Sequence, residues 1–237
     1  MGRCSISARH EALSHVTLDD VMQTLRAQGD EKMRKHHVKS GAGENVFGVK
    51  RGDIRAMAKE IKVDHDLGLA LWQTGNVDAM FLSTLLLKPK LIPDSHLDAM
   101  VASVTYSTVA DWLTTNVVKL HPSKEALRQE WMKSDHPMRS RVGWNLTTER
   151  IIKKPEGLDL AALLDRIEIE MAPAPEPAQW AMNFALAQIG VNHPAHRSRA
   201  MEIGEKLGVY RDYPTPKGCT SPFAPIWISE MVKRQTN

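Results

Sequence analysis

The sequence predicts an all-α protein, and three observations support this fold class. Apolar residues recur at the three- and four-residue spacing of helices along most of the chain, and no stretch alternates convincingly with the period of two that strands require. Helix-breaking residues interrupt this pattern repeatedly, for example at Pro89, Pro122 and Pro155. Aromatic residues, which favour strands, make up only 5% of the chain.

Capping residues and helix breakers predict the individual helices in order. Thr17 caps the first helix, which ends at Gly29, and Asp30 caps a strongly basic second helix. The three-glycine loop from Gly41 to Val49 lacks the glycine spacing of phosphate-binding motifs and predicts an interhelical turn. The predicted helices after the first are Glu31 to Lys39, Lys50 to Ile61, His65 to Gln73, Val77 to Lys88, Asp94 to Val104, Thr105 to Lys119, Ser123 to Lys133, Pro137 to Lys153, Asp159 to Met171, Pro177 to Val191 and Ala195 to Leu207.

A weak internal repeat predicts how these helices are arranged. One copy contains Trp131, Pro137, Trp144 and Leu146, and the next contains Met171, Pro177, Phe184 and Leu186. A spacing of about 40 residues is typical of HEAT-like or armadillo-type repeats, which stack into a solenoid with a concave binding face. A compact helical bundle is the competing architecture. We expect an N-terminal arm (1–16), a helical-repeat domain (17–208) and a proline-rich C-terminal extension (209–237) that lies along the solenoid, caps its end and finishes in a short helix.

The net charge of +3 is unevenly distributed along the chain. Seven basic and two acidic residues lie between Lys32 and Arg55, and nine basic and four acidic residues lie between Lys119 and Lys154. This segregation predicts a basic surface that binds a polyanion such as nucleic acid. A protein-binding scaffold, in which these charges are only solvated surface, is an alternative.

Other features of the composition exclude several classes of protein. No apolar run reaches the length of a membrane span, and the start of the chain lacks the apolar core of a signal peptide. Cys4 and Cys219 have no metal-type or disulfide spacing, and the ten histidines show no paired ligand spacing. We therefore expect a cytoplasmic, monomeric protein with no cofactor, metal ion or membrane partner.

Arg141 and Asp111 are the most informative polar residues. Arg141 lies in an apolar run with Val142 and Trp144, so its guanidinium requires a partner, which is either an internal carboxylate or a phosphate from outside. Asp111 stands next to Trp112 in a segment rich in apolar residues, and Arg141 is one candidate for its mate.

The segment Phe47-Gly-Val-Lys-Arg-Gly-Asp-Ile-Arg-Ala-Met-Ala-Lys resembles the N-terminal signature of the AlkC/AlkD-type DNA alkylation repair proteins. The helices from Thr17 to Leu207 are similar in order and spacing to that HEAT-like fold, and the tail from Gly218 resembles a less characterised branch. The resemblance implies a glycosylase that removes cationic N3- or N7-alkylated purines from double-stranded DNA. It also implies a cleft with two aromatic residues, an aspartate and an arginine.

The resemblance assigns roles to individual residues. By local match, Tyr106 and Trp180 flank the lesion, Arg141 grips a backbone phosphate and Asp111 is the candidate catalytic carboxylate. Trp144 is a further expected substrate contact. Charge alone suggests the additional DNA-backbone contacts Lys50, Arg51, Lys119, Lys124, Lys153 and Lys154.

One departure from the family pattern keeps a second hypothesis open. The aromatic residue and the aspartate of the family stand four residues apart, whereas Ala110 follows Tyr106 at that spacing. Asp111 comes one residue later, about 100° further round a helix. Ser107 has the right spacing but no ring. The alternative hypotheses are a non-catalytic module that binds branched or distorted DNA, and a packing role for Tyr106 and Trp180.

Overall fold

The computed structural model describes residues 16–236, and every regular element among them is helical. Residues 1–15, which include Cys4 and most of the predicted N-terminal arm, lie outside the described residues. No described helix is long and apolar enough to cross a membrane. The α-helices are α1 (Leu18–Ala27), α2 (Glu31–Lys39), α3 (Arg51–Ile61), α4 (His65–Gln73), α5 (Val77–Leu86), α6 (Asp94–Ser103), α7 (Ser107–Asn116), α8 (Lys124–Trp131), α9 (Pro137–Lys153), α10 (Leu160–Glu170), α11 (Glu176–Asn192), α12 (Arg197–Leu207) and α13 (Ala224–Thr236).

From α3 onward the helices form two layers. In the inner layer, α3, α5, α7, α9, α11 and α13 pack each against the next. In the outer layer, α4, α6, α8, α10 and α12 pack against helices of the inner layer. This alternation is the arrangement of stacked helical pairs that the internal repeat predicts.

The capping residues place the helix ends where the sequence indicates. The Thr17 side chain accepts a hydrogen bond from the Asp20 backbone, and the Asp30 side chain accepts one from Met33. The long helix α9 has the predicted bounds, with Pro137 at its first position. The helix predicted over Thr105 to Lys119 is shorter, because α7 begins at Ser107 and ends at Asn116 before a 3-10 turn.

The three-glycine loop is an interhelical turn, as predicted, and a buried carboxylate holds its end. The two carboxylate oxygens of Asp78 accept hydrogen bonds from the backbone N–H groups of Phe47, Gly48 and Val49, at 2.6, 3.1 and 2.9 Å. Gly48 has a φ of 85°, and a Cβ there would lie 2.4 Å from the backbone nitrogen of Arg34. The signature segment therefore begins with a structural anchor, whose amides have no capacity left for a ligand.

Helix α9 joins the two hydrophobic clusters of the core, and ten of its seventeen residues are buried. Val142 and Leu146 belong to one hydrophobic cluster, formed with the helices before α9. Trp144 and Ile151 belong to a second cluster, formed with the helices after it. Side chains on the remaining face of α9 line the cleft described below.

The C-terminal extension packs against α11 and α12. Residues 208–223 contain no helix, and Asn183 of α11 donates a hydrogen bond to the Pro222 carbonyl at 2.8 Å. Helix α13 follows and packs closely: a Cβ on Gly190 would lie 2.5 Å from the Ile228 side chain. The extension is therefore part of the folded domain and borders the same inner helices as the cleft.

Candidate functional site

A cleft of about 430 Å³ opens between four helices of the inner layer, α7, α9, α11 and α13. It combines polar groups on α7 and α9 with aromatic side chains on α11 and α13. The lining residues that define its chemistry are Asp111, Arg141, Asn145, Trp180, Phe184 and Trp227.

Asp111 and Arg141 form a bidentate ion pair in this cleft. Arg141 Nε and Nη2 donate to the two Asp111 carboxylate oxygens at 3.0 and 2.8 Å, and Nη1 donates to the Pro177 carbonyl at 3.0 Å. Arg141 is buried, whereas 44% of the Asp111 side chain is exposed. All three guanidinium nitrogens are thus used internally. The partner of Arg141 in this structure is the internal carboxylate rather than the expected phosphate, because Asp111 occupies its Nε–Nη2 edge and the side chain is buried.

Asn145 adds a third hydrogen bond to the carboxylate. Its Nδ2 donates to Asp111 Oδ1 at 3.2 Å. Asn145 was not among the predicted site residues, although it follows Arg141 by four residues and so shares its face of α9. The three hydrogen bonds fix the direction of the Asp111 carboxylate and leave it accessible from the cleft.

Two aromatic residues of α11 form one wall. Trp180 and Phe184 are four residues apart and both line the cleft. The Phe184 ring makes an edge contact with the Trp227 ring of α13, with 6.1 Å between centroids. Trp180 was predicted to flank the lesion and lines the cleft, whereas Phe184 and Trp227 were not among the predicted site residues.

Two tyrosine rings of the C-terminal extension pack against the Trp180 ring. The rings of Tyr210 and Tyr213 lie 5.0 and 5.6 Å from the Trp180 ring. Tyr210 has a φ of 61°, which is uncommon for a residue with a side chain. Its hydroxyl is buried without a hydrogen-bond partner among residues 16–236. Burial, with a smaller contribution from Glu176, raises the pKa of Tyr210 to about 12, so the phenol is neutral at ordinary pH.

Two residues expected to contact the substrate lie in the core instead. Tyr106 precedes α7, is buried, and places its hydroxyl 3.1 Å from His37 Nδ1. Trp144 is 0% exposed and packs in the second hydrophobic cluster. Both assignments are corrected. Tyr106 lies outside the helix that carries Asp111, and Trp144 points from α9 into the core. Ala110 is fully buried as well.

The predicted backbone contacts on α9 and near α8 lie at the edge of the cleft or beside it. Lys119 and Lys153 line the cleft and pair with Glu149, at 3.6 and 2.9 Å. Burial opposes the ionisation of Glu149, but these lysines outweigh it and lower the pKa of the carboxyl. Lys124 and Lys154 line an adjoining groove, and neither forms a salt bridge among the described residues, although Lys124 is close enough to Glu149 to help lower the pKa of that carboxyl.

The predicted DNA-backbone contacts near α3 are exposed and lie outside the cleft. Lys50 and Arg51 stand at the start of α3 and do not line the cleft. The Arg51 guanidinium lies 6.0 Å from the Phe81 ring, and that of Arg55 lies 4.7 Å from the Trp112 ring. Neither arginine has a carboxylate partner within residues 16–236. Their positive charges remain available to an external anion.

Comparisons with known proteins cover nearly the whole chain. Two proteins described as uncharacterized, from Listeria monocytogenes and Listeria innocua, are 21% and 20% identical to this chain. Each match covers 92% of this chain and 96% of the relative. A solved structure superposes with a TM-score of 0.77 at 23% identity, covering 92% of this chain and 94% of its own. It represents a family related to the HEAT-like repeat DNA glycosylases with affinity for branched DNA structures.

The structural likeness confirms the predicted HEAT-like helical fold. The sequence matches the family described as DNA alkylation repair enzyme over residues 21–226, which is most of the chain. The resemblance found in the signature segment is thereby confirmed across both layers of helices. The chain belongs to the family of DNA alkylation repair enzymes.

Proposed function

We propose that this protein is a DNA glycosylase that releases cationic N3- or N7-alkylated purines from double-stranded DNA. The observation that carries the proposal is the Asp111 carboxylate, which three hydrogen bonds hold in a cleft with an aromatic wall. Nearly half of its side chain is exposed, so a sugar in the cleft can approach it.

A fixed carboxylate suits the chemistry of this reaction. An alkylated purine already carries a positive charge, so it leaves without protonation and takes the electron pair of the glycosidic bond. Positive charge then develops on the sugar, where a negative carboxylate stabilises it. The same carboxylate orients the water that adds to the sugar carbon and accepts its proton.

The neighbouring residues have supporting roles in the proposal. Arg141 and Asn145 are positioning residues, because they touch Asp111 and hold its direction. The Trp180 ring offers a face to the cationic base. The remaining proposed contacts with DNA phosphates are Lys50, Arg51, Lys119, Lys124, Lys153 and Lys154.

The test is release of 7-methylguanine and 3-methyladenine from methylated duplex DNA. We expect release by the wild-type protein and a fall of about 100-fold or more in Asp111→Asn, because the carboxylate charge is lost. Asp66→Asn is a matched control, since Asp66 is exposed on the outer helix α4. Absence of release by the folded wild-type protein would reject the proposal.

A second candidate is a non-catalytic module that binds branched DNA. Two observations favour it: the similar solved structure comes from a family with affinity for branched DNA structures, and no aromatic residue accompanies Asp111 at the family spacing. For this candidate we expect tighter binding to a four-way junction than to linear duplex, no base release, and unchanged binding in Asp111→Asn.

A further inference from the structure

We propose that Phe184 and Ile152 form a stacking platform for a nucleobase that has lost a stacking neighbour, at a bulge, a branch point or a damaged step. The inference deepens the proposed function by naming the DNA feature that the cleft selects. It rests on the binding of DNA in this cleft and is independent of base release.

The first observation is the exposure of two large apolar side chains in one cleft. Phe184 of α11 is 37% exposed and Ile152 of α9 is 44% exposed, and both line the cleft. Each is unfavourable in water unless a partner covers it. Edge contact with Trp227 supports the Phe184 ring, so the platform needs little rearrangement before a base stacks on it.

The second observation is the charge around these side chains, which identifies the occupant. Lys119 and Lys153 line the same cleft, and Lys124 and Lys154 line the groove beside it. Stacking side chains bordered by lysines match single-stranded or unstacked nucleic acid, which presents flat apolar bases between phosphates. An apolar protein segment would cover the platform but offer no negative charge to Lys124 and Lys154, which form no salt bridge among the described residues.

The geometry of DNA explains why such a platform selects discontinuities. In continuous duplex every base is covered on both faces by its neighbours, so none can reach Phe184. At a bulge or branch point one face of a base is already uncovered, so binding to the protein does not have to supply the free energy of unstacking that base. The platform therefore strengthens binding to interrupted DNA and adds little to binding of continuous duplex.

The test compares two duplexes of the same sequence, one continuous and one with a single bulged 2-aminopurine nucleotide. We expect the wild-type protein to bind the bulged duplex more tightly and to quench the 2-aminopurine fluorescence. Phe184→Leu keeps an apolar side chain without a ring, and we expect it to lower the preference about tenfold and to relieve the quenching. Ile152→Thr should lower the preference by a smaller factor.

Ile169→Ala is the matched control, because Ile169 is 76% exposed on the outer helix α10 and does not line the cleft. Equal wild-type affinity for the two duplexes, an unchanged preference in Phe184→Leu, or an equal loss in Ile169→Ala would each overturn the platform. Base release is scored separately. If Phe184→Leu lowers the preference for bulged DNA but the wild-type protein releases no base, the platform is supported and the glycosylase proposal is rejected. If the wild-type protein releases base but Phe184→Leu leaves the preference unchanged, the glycosylase proposal is supported and the platform is rejected.

Discussion

The two basic segments of this chain, Lys32 to Arg55 and Lys119 to Lys154, have the same net charge of +5, but their cations have different partners. Between Lys119 and Lys154 the charge is largely internal: Arg141 pairs with Asp111, while Arg128 and Arg150 share Glu125 at 2.6 and 2.9 Å. The first pair lies in the cleft, and the other two lie in the groove beside it. In this segment, positive charge mainly holds carboxylates in position.

Between Lys32 and Arg55 the charge is largely unpaired. Arg51 and Arg55 contact aromatic rings but no carboxylate among the described residues, and Lys50 is exposed beside them. The difference follows from burial, because a guanidinium removed from water requires an opposite charge whereas an exposed one does not. Charge density along a sequence therefore indicates neither which cations face a ligand nor which ones build the site.

Substitution of Arg141 is the strongest test of the difference between paired and unpaired cations. Replacing it with methionine leaves Asp111 without its ion pair, and we expect the free energy of unfolding to fall by about 2 kcal/mol. That is below the usual cost of breaking a fully buried pair, because water can reach Asp111. The salt dependence of DNA binding should not change, because Arg141 is buried and already paired with Asp111. Chemical denaturation and binding at several salt concentrations measure the two effects, and a shallower salt dependence would contradict the internal role.

Substitution of Glu125 tests the paired charges between Lys119 and Lys154 again, with a smaller expected effect on the free energy of unfolding. Hydrogen bonds from Arg128 lower the pKa of Glu125 to about 2, against the opposing effect of burial. We expect Glu125→Gln to lower the free energy of unfolding at neutral pH by about 1 kcal/mol, discounted because the carboxylate is partly exposed.

The pH dependence of the Glu125 effect has a definite sign. Its folded pKa lies below its unfolded value of about 4.3, so its contribution is present above that pH and is lost as pH falls toward 2. Denaturation curves of wild type and Glu125→Gln between these values should converge. A constant difference across the range would show that Glu125 acts by packing rather than by charge.

Substitutions of the unpaired arginines of α3 should affect DNA binding rather than stability. We expect Arg51→Gln and Arg55→Gln to change the free energy of unfolding by less than about 0.5 kcal/mol, since both are exposed. Each substitution that removes a phosphate contact should lower the slope of log affinity against log salt concentration by about 1. Loss of stability without a change in slope would place these residues with the internal arginines.

Tyr210 tests the burial of the ring that packs against Trp180. Its folded pKa of about 12 lies above the unfolded value of about 10, so its contribution is present below pH 10 and is lost as pH rises toward 12. Wild type should therefore lose stability relative to Tyr210→Phe across that range. Absorbance of the phenolate, followed together with unfolding, checks this, and parallel stability curves would contradict a buried phenol.

Much of this architecture could be predicted from the sequence, because helix periodicity and capping are local. The bounds of α9 and the roles of Thr17 and Asp30 as caps follow from neighbouring residues alone. The i to i+4 rule also places Phe184 on the same helix face as Trp180, so the second aromatic residue of the cleft wall was predictable from the spacing.

The rest of the site depends on contacts between distant segments. Tyr106 was assigned by local match to the family, but contact with His37, 69 residues earlier in the chain, holds it in the core. The face of Trp144 is decided by the helices that cover α9 on both sides. The packing of Tyr210 against Trp180 requires the extension to return to α11, and no local pattern encodes that path.

The most direct test of the central claim is the single-turnover rate of 7-methylguanine release at saturating protein, for wild type and Asp111→Asn, with DNA affinity measured on the same samples. If the carboxylate held by Arg141 and Asn145 stabilises the developing sugar cation, the rate falls by about 100-fold or more while affinity is retained. Equal rates in the two proteins would contradict the claim and require another group to stabilise the cation.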